Sequence, residues 1–349
     1  MLIGHLNQTE ISSAIQTCHA MRSLIEPYLY VHISIPSRQR RHMANLLRTL
    51  HTRPDLARNI ITFDGSLYPS PRKPRLPRVT LVSLIKYWRQ QRSNEKQERA
   101  LSETIVTSIY HMVNVKSLTL RDFGWLGTPY QNLIRDAISL TVSLSSLTSL
   151  VIQGQDFPPS GRHENHSVQL ALLLRSQPLL ECLELRSSEW DLQDCMLQSD
   201  VPRLSHLVAG SREARFLVCG RPITSLFIRS ITREPGPDGW KALAASSAPI
   251  TFLALDDMYH PFLEAALHSV AMHFKDVQKL SIQGAAYQIL PLLIGGFPSF
   301  PYLRTLRLKA WDLNMEGTES IEDQRLDAIM YIRHRCPQFQ NLEMDQKWI

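Results

Sequence analysis

The sequence predicts an α/β solenoid: a curved parallel sheet with helices on its convex side, preceded by a small helical segment. Three observations predict it. A hexamer with apolar residues at i, i+3 and i+5, of which Leu303-Arg304-Thr305-Leu306-Arg307-Leu308 is the plainest, recurs along most of the chain. Stretches of helical periodicity separate the copies. Proline enters several copies, where it ends a helix and starts extended chain.

In order, the copies are Val115/Leu118/Leu120, Leu147/Leu150/Ile152, Leu180/Leu183/Leu185, Leu204/Leu207/Ala209, Ile223/Leu226/Ile228, Ile250/Leu253/Leu255, Val277/Leu280/Ile282, Leu303/Leu306/Leu308 and Phe339/Leu342/Met344. Successive middle residues lie 19 to 36 positions apart. An incomplete copy, with Ile61 and Phe63 but Arg58 in the first slot, precedes them. A motif returning at this interval marks a repeat array, because one strand–helix unit cannot bury its own apolar face and must stack on its neighbours. An ordinary α/β domain of alternating strands and helices is the competing reading. The hexamer spacing resembles the strand step of leucine-rich repeats. Regular arrays of that kind place asparagine three residues after the third apolar position. Phe123, Gln155, Ser188 and Trp311 stand there instead, so irregular loops and uneven curvature are expected.

Composition agrees with a folded chain, since 44% of the 349 residues are hydrophobic. The segment Met1–Leu6 lacks a basic region and a long apolar run, so no signal peptide is expected. The longest apolar stretch, Ile289 to Phe297, is interrupted by Pro291 and is too short to span a bilayer. Cys18, Cys182, Cys195, Cys219 and Cys336 are scattered, which suits a reducing compartment better than a disulfide framework. A cytoplasmic or nuclear protein without membrane contact is therefore expected. The charge is uneven: residues 1–100 hold 16 Lys/Arg and 6 Asp/Glu, whereas residues 101–349 hold 22 and 26. A nucleic-acid partner is not expected, because such binders carry a basic stripe along the recognition surface itself.

The chain opens with Asn7-Gln8-Thr9-Glu10, a capping-box start. Ile11, Ala14, Ile15 and Cys18 follow at helical spacing. A short helix is expected from Ala20 to Glu26, stopped by Pro27, and then a strand or extended segment from Tyr28 to Ile35. From Leu6-Asn7-Gln8-Thr9-Glu10-Ile11 through Cys18-His19-Ala20-Met21-Arg22-Ser23-Leu24-Ile25-Glu26-Pro27-Tyr28-Leu29-Tyr30-Val31-His32-Ile33, the sequence resembles the second half of an F-box. The whole is similar to the F-box/leucine-rich-repeat proteins of fungi. That family opens its F-box with a Leu-Pro-x-Glu helix, which would precede Met1-Leu2-Ile3-Gly4-His5-Leu6, so residues 1–35 are read as an N-terminally truncated F-box. The resemblance implies docking to a Skp-type adaptor and a cullin, through Leu2, Leu6, Ile11, Ile15, Leu24, Ile25 and Pro27.

Residues 36–114 are expected to be a basic helical linker with the one degenerate repeat. Gln39 to Thr52 reads as an amphipathic helix, with Met43, Leu46, Leu47 and Leu50 inward and its arginines solvated. The Pro/Arg-rich stretch 68–78 is an extended insertion or a nuclear-localisation patch. Val79–Trp88 and Glu95–Met112 are helix-like. Within the array, residues 115–349, helices are expected at Tyr130–Leu144, Ser167–Ser176, Asp191–Gln198, Asp238–Ala245, Pro261–Phe274, Ala286–Leu293 and Ile321–Arg335.

No catalytic constellation is present. His163-x-x-His166 lacks a metalloprotease frame, Asp256-Asp257 reads as a polar strand end, and no phosphate-binding or nucleophile-elbow motif occurs. No enzyme activity, cofactor or metal is expected. The prospect for function is the face between the core positions, because strand side chains alternate. That alternation turns Arg121, Gln153, Glu184, Arg186, Phe227, Arg229, Phe252, Asp256, Lys279, Arg307 and Lys309 outward on the concave side. Aromatics beside arginines have the composition of a binding hot spot. The expectation is a non-catalytic receptor: the substrate-recognition subunit of an SCF-type (cullin–RING) ubiquitin ligase, holding an unknown protein substrate. The alternative is a repeat scaffold that no longer binds the adaptor.

Overall fold

All nine expected copies form short strands, and two more precede them. The computed structural model describes residues 13, 16, 19–35, 40–66, 104, 107–121, 144–153, 164–186, 192–193, 195–229, 236–256, 263–284, 296–310 and 321–344. They fall into two units, Met1–Leu180 and Glu181–Ile349, divided inside the segment 115–349. The first unit contains α1 (His19–Leu29), β1 (His32–Ile35), α2 (Arg40–Thr52), α3 (Pro54–Ala57), β2 (Thr62–Ser66), β3 (Ser117–Arg121), β4 (Ser149–Gln153) and α4 (Glu164–Arg175). The second contains β5 (Cys182–Leu185), β6 (His206–Gly210), α5 (Ser211–Val218), β7 (Ser225–Arg229), α6 (Gly236–Leu243), β8 (Phe252–Leu255), α7 (Leu263–His273), β9 (Lys279–Gly284), β10 (Thr305–Ala310), α8 (Ile321–Arg335) and β11 (Asn341–Met344).

Within each unit consecutive strands pair in parallel, and strand order follows chain order. The register places the middle residue of each copy beside that of the next. In the second unit Leu183, Leu207, Leu226, Leu253, Leu280, Leu306 and Leu342 form one ladder, each at most 7% exposed. The first and third positions are buried with them, from Leu204 and Ala209 to Leu303 and Leu308. Each copy enters its strand through the same hydrogen bonds. Thr251 and Phe252 both donate to Thr224 O, Gln278 and Lys279 to Thr251 O, and Arg304 and Thr305 to Gln278 O, at 2.8–3.1 Å. Helix α5 packs on β6 and β7, and α6 lies between α5 and α7, so the helices stack in a second layer. Among the described residues no helix is long and apolar enough to cross a membrane.

Several expectations need correction. The helix before β1 does not stop at Glu26 but runs through Pro27 to Leu29. Proline there removes only one helical hydrogen bond, near the end of the helix. Tyr30 N–H closes the turn on Pro27 O at 3.2 Å, and Glu26 is held by Arg22 at 3.5 Å and Arg53 at 3.6 Å. The strand is correspondingly shorter than 28–35 and begins at His32. The degenerate copy lies two residues further along the chain than expected. Phe63 pairs with Leu118, so Phe63 holds the middle slot, Ile60 the first and buried Gly65 the third. Glycine in an apolar slot hid the match, and Ile61 is exposed at 36%. Ile33 pairs with Phe63 in turn, so Tyr30/Ile33/Ile35 is a further copy inside the segment assigned to the F-box.

The described residues of Asp191–Gln198 are turns and irregular chain, not the expected helix. The carbonyls of Leu197 and Asp200 are taken instead by the Arg221 guanidinium, at 2.6 and 2.7 Å. The unexpected helix is α5, in the shortest interval of all. It begins directly from β6, with Gly210 as N-cap at φ −66°, ψ 160°. Glu213, third in the helix and fully buried, folds its carboxylate back over Gly210. A β-carbon at Gly210 would sit inside van der Waals contact with that carboxylate. Because Glu213 is fully buried and its carboxylate must shift to admit the methyl, Gly210→Ala is expected to destabilise the fold by about 1–3 kcal/mol. Urea denaturation followed by circular dichroism reads this, and an unchanged midpoint would show that Glu213 relocates freely. The segments 130–143, 286–293, 68–78 and 79–88, and the four loop positions without asparagine, lie outside the described residues.

Candidate protein-binding face

The residues between core positions make three rows across the strands of the second unit. The first row runs Cys182, His206, Ser225, Phe252, Lys279, Thr305, Asn341. The second runs Glu184, Val208, Phe227, Ala254, Ser281, Arg307, Glu343. The third holds Arg186 beyond β5, Arg229, Asp256, Gln283 and Lys309. Arg121 and Gln153 occupy the third row of the first unit, paired through β3 and β4, with Gln153 half-buried.

The outward positions are not uniformly solvated. Val208 is 8% exposed, Ala254 1%, Ser281 6% and Asp256 8%. Three of these are small side chains standing next to larger ones: Val208 and Ala254 flank Phe227, and Ser281 lies between Ala254 and Arg307. Small residues between large ones are shielded by their neighbours, which the alternation rule does not register. Asp256 is therefore a buried carboxylate, not a free contact. Phe227 and Phe252 are half-buried and sit diagonally on adjacent strands.

Most of the charges engage one another. Arg186 Nε pairs with Glu184 Oε1. Glu343 joins Lys279 at 3.6 Å and Arg307 at 3.9 Å, linking β9, β10 and β11. Glu343 was outside the expected site set, although its place opposite Arg307 in the register pairs it directly. These pairs are half-exposed, so each contributes no more than about 1 kcal/mol and a partner can displace it. Among the described residues Arg229 and Lys309 carry no such pair. In the first row His206 Nδ1 shares a 2.9 Å hydrogen bond with Ser225 Oγ, and His32 with Thr62 repeats it at 2.8 Å in the first unit. Burial, with a smaller contribution from the Glu181 carboxylate, pushes the Cys182 thiol up, which favours its protonated form.

Of the expected adaptor-docking residues, Leu2, Leu6, Ile11 and Ile15 lie outside the described residues. Leu24, Ile25 and Pro27 lie on α1. Ile25 is 4% exposed, a core position, and Pro27 is half-buried. Among the described residues no three His, Cys, Asp or Glu side chains gather as metal ligands. A scan against protein-family models finds no match, and a search of the curated proteins finds none either.

Proposed function

We propose that this chain is a non-catalytic protein-interaction receptor, the substrate-recognition subunit of an SCF-type (cullin–RING) ubiquitin ligase of the F-box/leucine-rich-repeat kind. The observation that carries the receptor part is the ladder of strands whose apolar positions are consumed by the core while Phe227, Phe252, Arg229, Arg307 and Lys309 remain on the opposite face. Aromatic and arginine side chains together are what binding hot spots are made of. The ligase part rests on the F-box-like sequence of residues 6–33. Such a receptor performs no bond chemistry. It raises the concentration of a bound substrate near an enzyme.

Co-purification with a Skp-type adaptor tests the assignment. Capture by the full chain, lost when Met1–Pro27 is scrambled, is the expected result. If neither the full chain nor a version extended at its N-terminus by a Leu-Pro-x-Glu helix captures the adaptor, the ligase assignment fails. The second reading, a repeat scaffold without adaptor binding, then stands. It is favoured by one observation: Ile25 is consumed by the chain's own core, and the strand that follows pairs with β2 as a further repeat.

A further inference from the structure

We infer that the strand face of the second unit takes an acidic peptide segment carrying a central apolar side chain, with Phe227 and Phe252 seating the apolar group and Arg229, Lys309 and Arg307 the flanking carboxylates. This rests on the receptor reading and names the partner class for it.

The argument is one of charge placement. Residues 181–349 hold 17 Lys/Arg and 21 Asp/Glu, so this part of the chain is acidic as a whole. Its outward strand face reverses that sign. Among the described residues the face carries Arg186, Arg229, Lys279, Arg307 and Lys309 against Glu184, Asp256 and Glu343. Glu184 is taken by Arg186, Glu343 is shared between two cations, and Asp256 is 8% exposed. Among the described residues Arg229 and Lys309 therefore have no carboxylate partner, with half of the Lys279/Arg307 pair beside them. These cations surround the apolar centre. Arg229 follows Phe227 by two residues on β7, so both point the same way, and Lys279 lies directly beside Phe252 in the register. Ala254 and Ser281 separate Phe227 from Arg307 by three strand spacings, roughly 14 Å, about the length of four extended residues. An apolar residue at Phe227 thus leaves its neighbours along the chain within reach of the cations on both sides. Carboxylates match that surplus, whereas a basic segment meets repulsion at both ends.

Fluorescence anisotropy with the full chain tests this, using a labelled twelve-residue peptide with a Leu-Phe centre and Asp/Glu flanks. Controls are the same centre with Lys flanks and the same acidic flanks around Ser-Gly. The expected result is binding of the first peptide only, weakening several-fold between 50 and 300 mM salt. The double substitution Arg229→Glu, Lys309→Glu is expected to weaken it by at least about tenfold. Lys241→Glu, an exposed charge on α6, should leave it unchanged. Phe227→Ala should abolish it, with circular dichroism verifying the fold. Equal binding of the Lys-flanked peptide, or undiminished binding by the double variant, overturns the acidic assignment. If Phe227→Ala still abolishes binding in that case, the receptor face survives and only the partner class is wrong. If no peptide binds, the inference fails while adaptor capture remains an independent test of the function.

Discussion

Arg221→Ala is expected to lower the unfolding free energy by about 3–5 kcal/mol, because it removes a buried cation that satisfies four backbone carbonyls. Arg221 is 1% exposed. Its guanidinium donates to Leu197 O at 2.6 Å, Asp200 O at 2.7 Å, Phe216 O at 2.8 Å and Cys219 O at 3.3 Å. Burial holds its pKa below the ordinary guanidinium value, partly offset by the nearby Asp200 carboxylate, and the side chain remains charged. These carbonyls belong to the non-helical residues 195–205 before β6 and to the end of α5, so one side chain supplies the hydrogen bonds of both. The segment also holds Val201 at φ 47°, the only non-glycine residue at positive φ among those described. A β-branched residue in that region costs about 1–3 kcal/mol and persists only where its surroundings impose it. The Asp200 carboxylate, accepting from Leu197 N–H at 2.7 Å, and the Arg221 contact to Asp200 O both impose it. Urea denaturation by circular dichroism measures the loss, and hydrogen exchange should show amides of 197–221 losing protection first. Arg221→Lys keeps the charge but not the planar fork, so it should recover only part of the stability. A change below about 1 kcal/mol for the alanine variant would mean that water satisfies the carbonyls as well as arginine does.

Trp240→Ala should cost about as much, 3–5 kcal/mol, for a different reason. Trp240 on α6 is fully buried and meets Phe274 edge-to-face at 6.3 Å. Among the described residues its indole Nε1 has no hydrogen-bond partner. The ring therefore contributes through volume and contact, not through its N–H. Trp240→Phe should then be tolerated far better, at about 1–2 kcal/mol for the reduced volume, since no hydrogen bond is lost. Circular dichroism is the right probe because the substitution alters fluorescence directly. Equal losses for phenylalanine and alanine would show that the N–H is engaged after all.

The strands were legible because each copy carries three apolar residues at fixed spacing, and nothing but a buried strand edge uses that spacing repeatedly. Helices with long periodic patterns were legible too, as with Ile321–Arg335, found at its expected bounds. Legibility failed where a slot was filled by a residue that does not announce itself. Gly65 and Tyr30 hold apolar slots, so two copies were shifted or missed. It failed again at α5, which is only 8 residues long and starts without a side-chain cap. The candidate face was half legible. Its residues follow from alternation, but not that Ala254, Ser281 and Asp256 are shielded, nor that Glu343 ties up Lys279 and Arg307.

By itself the sequence determined the core triplets of the nine regular copies, since a period of two and a repeated triplet are local properties of the chain. The tertiary structure decided what those outward residues have left to offer. Pairing between charges and shielding by neighbours depend on which strands lie side by side, and residues such as Lys279 and Glu343, 64 positions apart, meet only once the repeats have stacked.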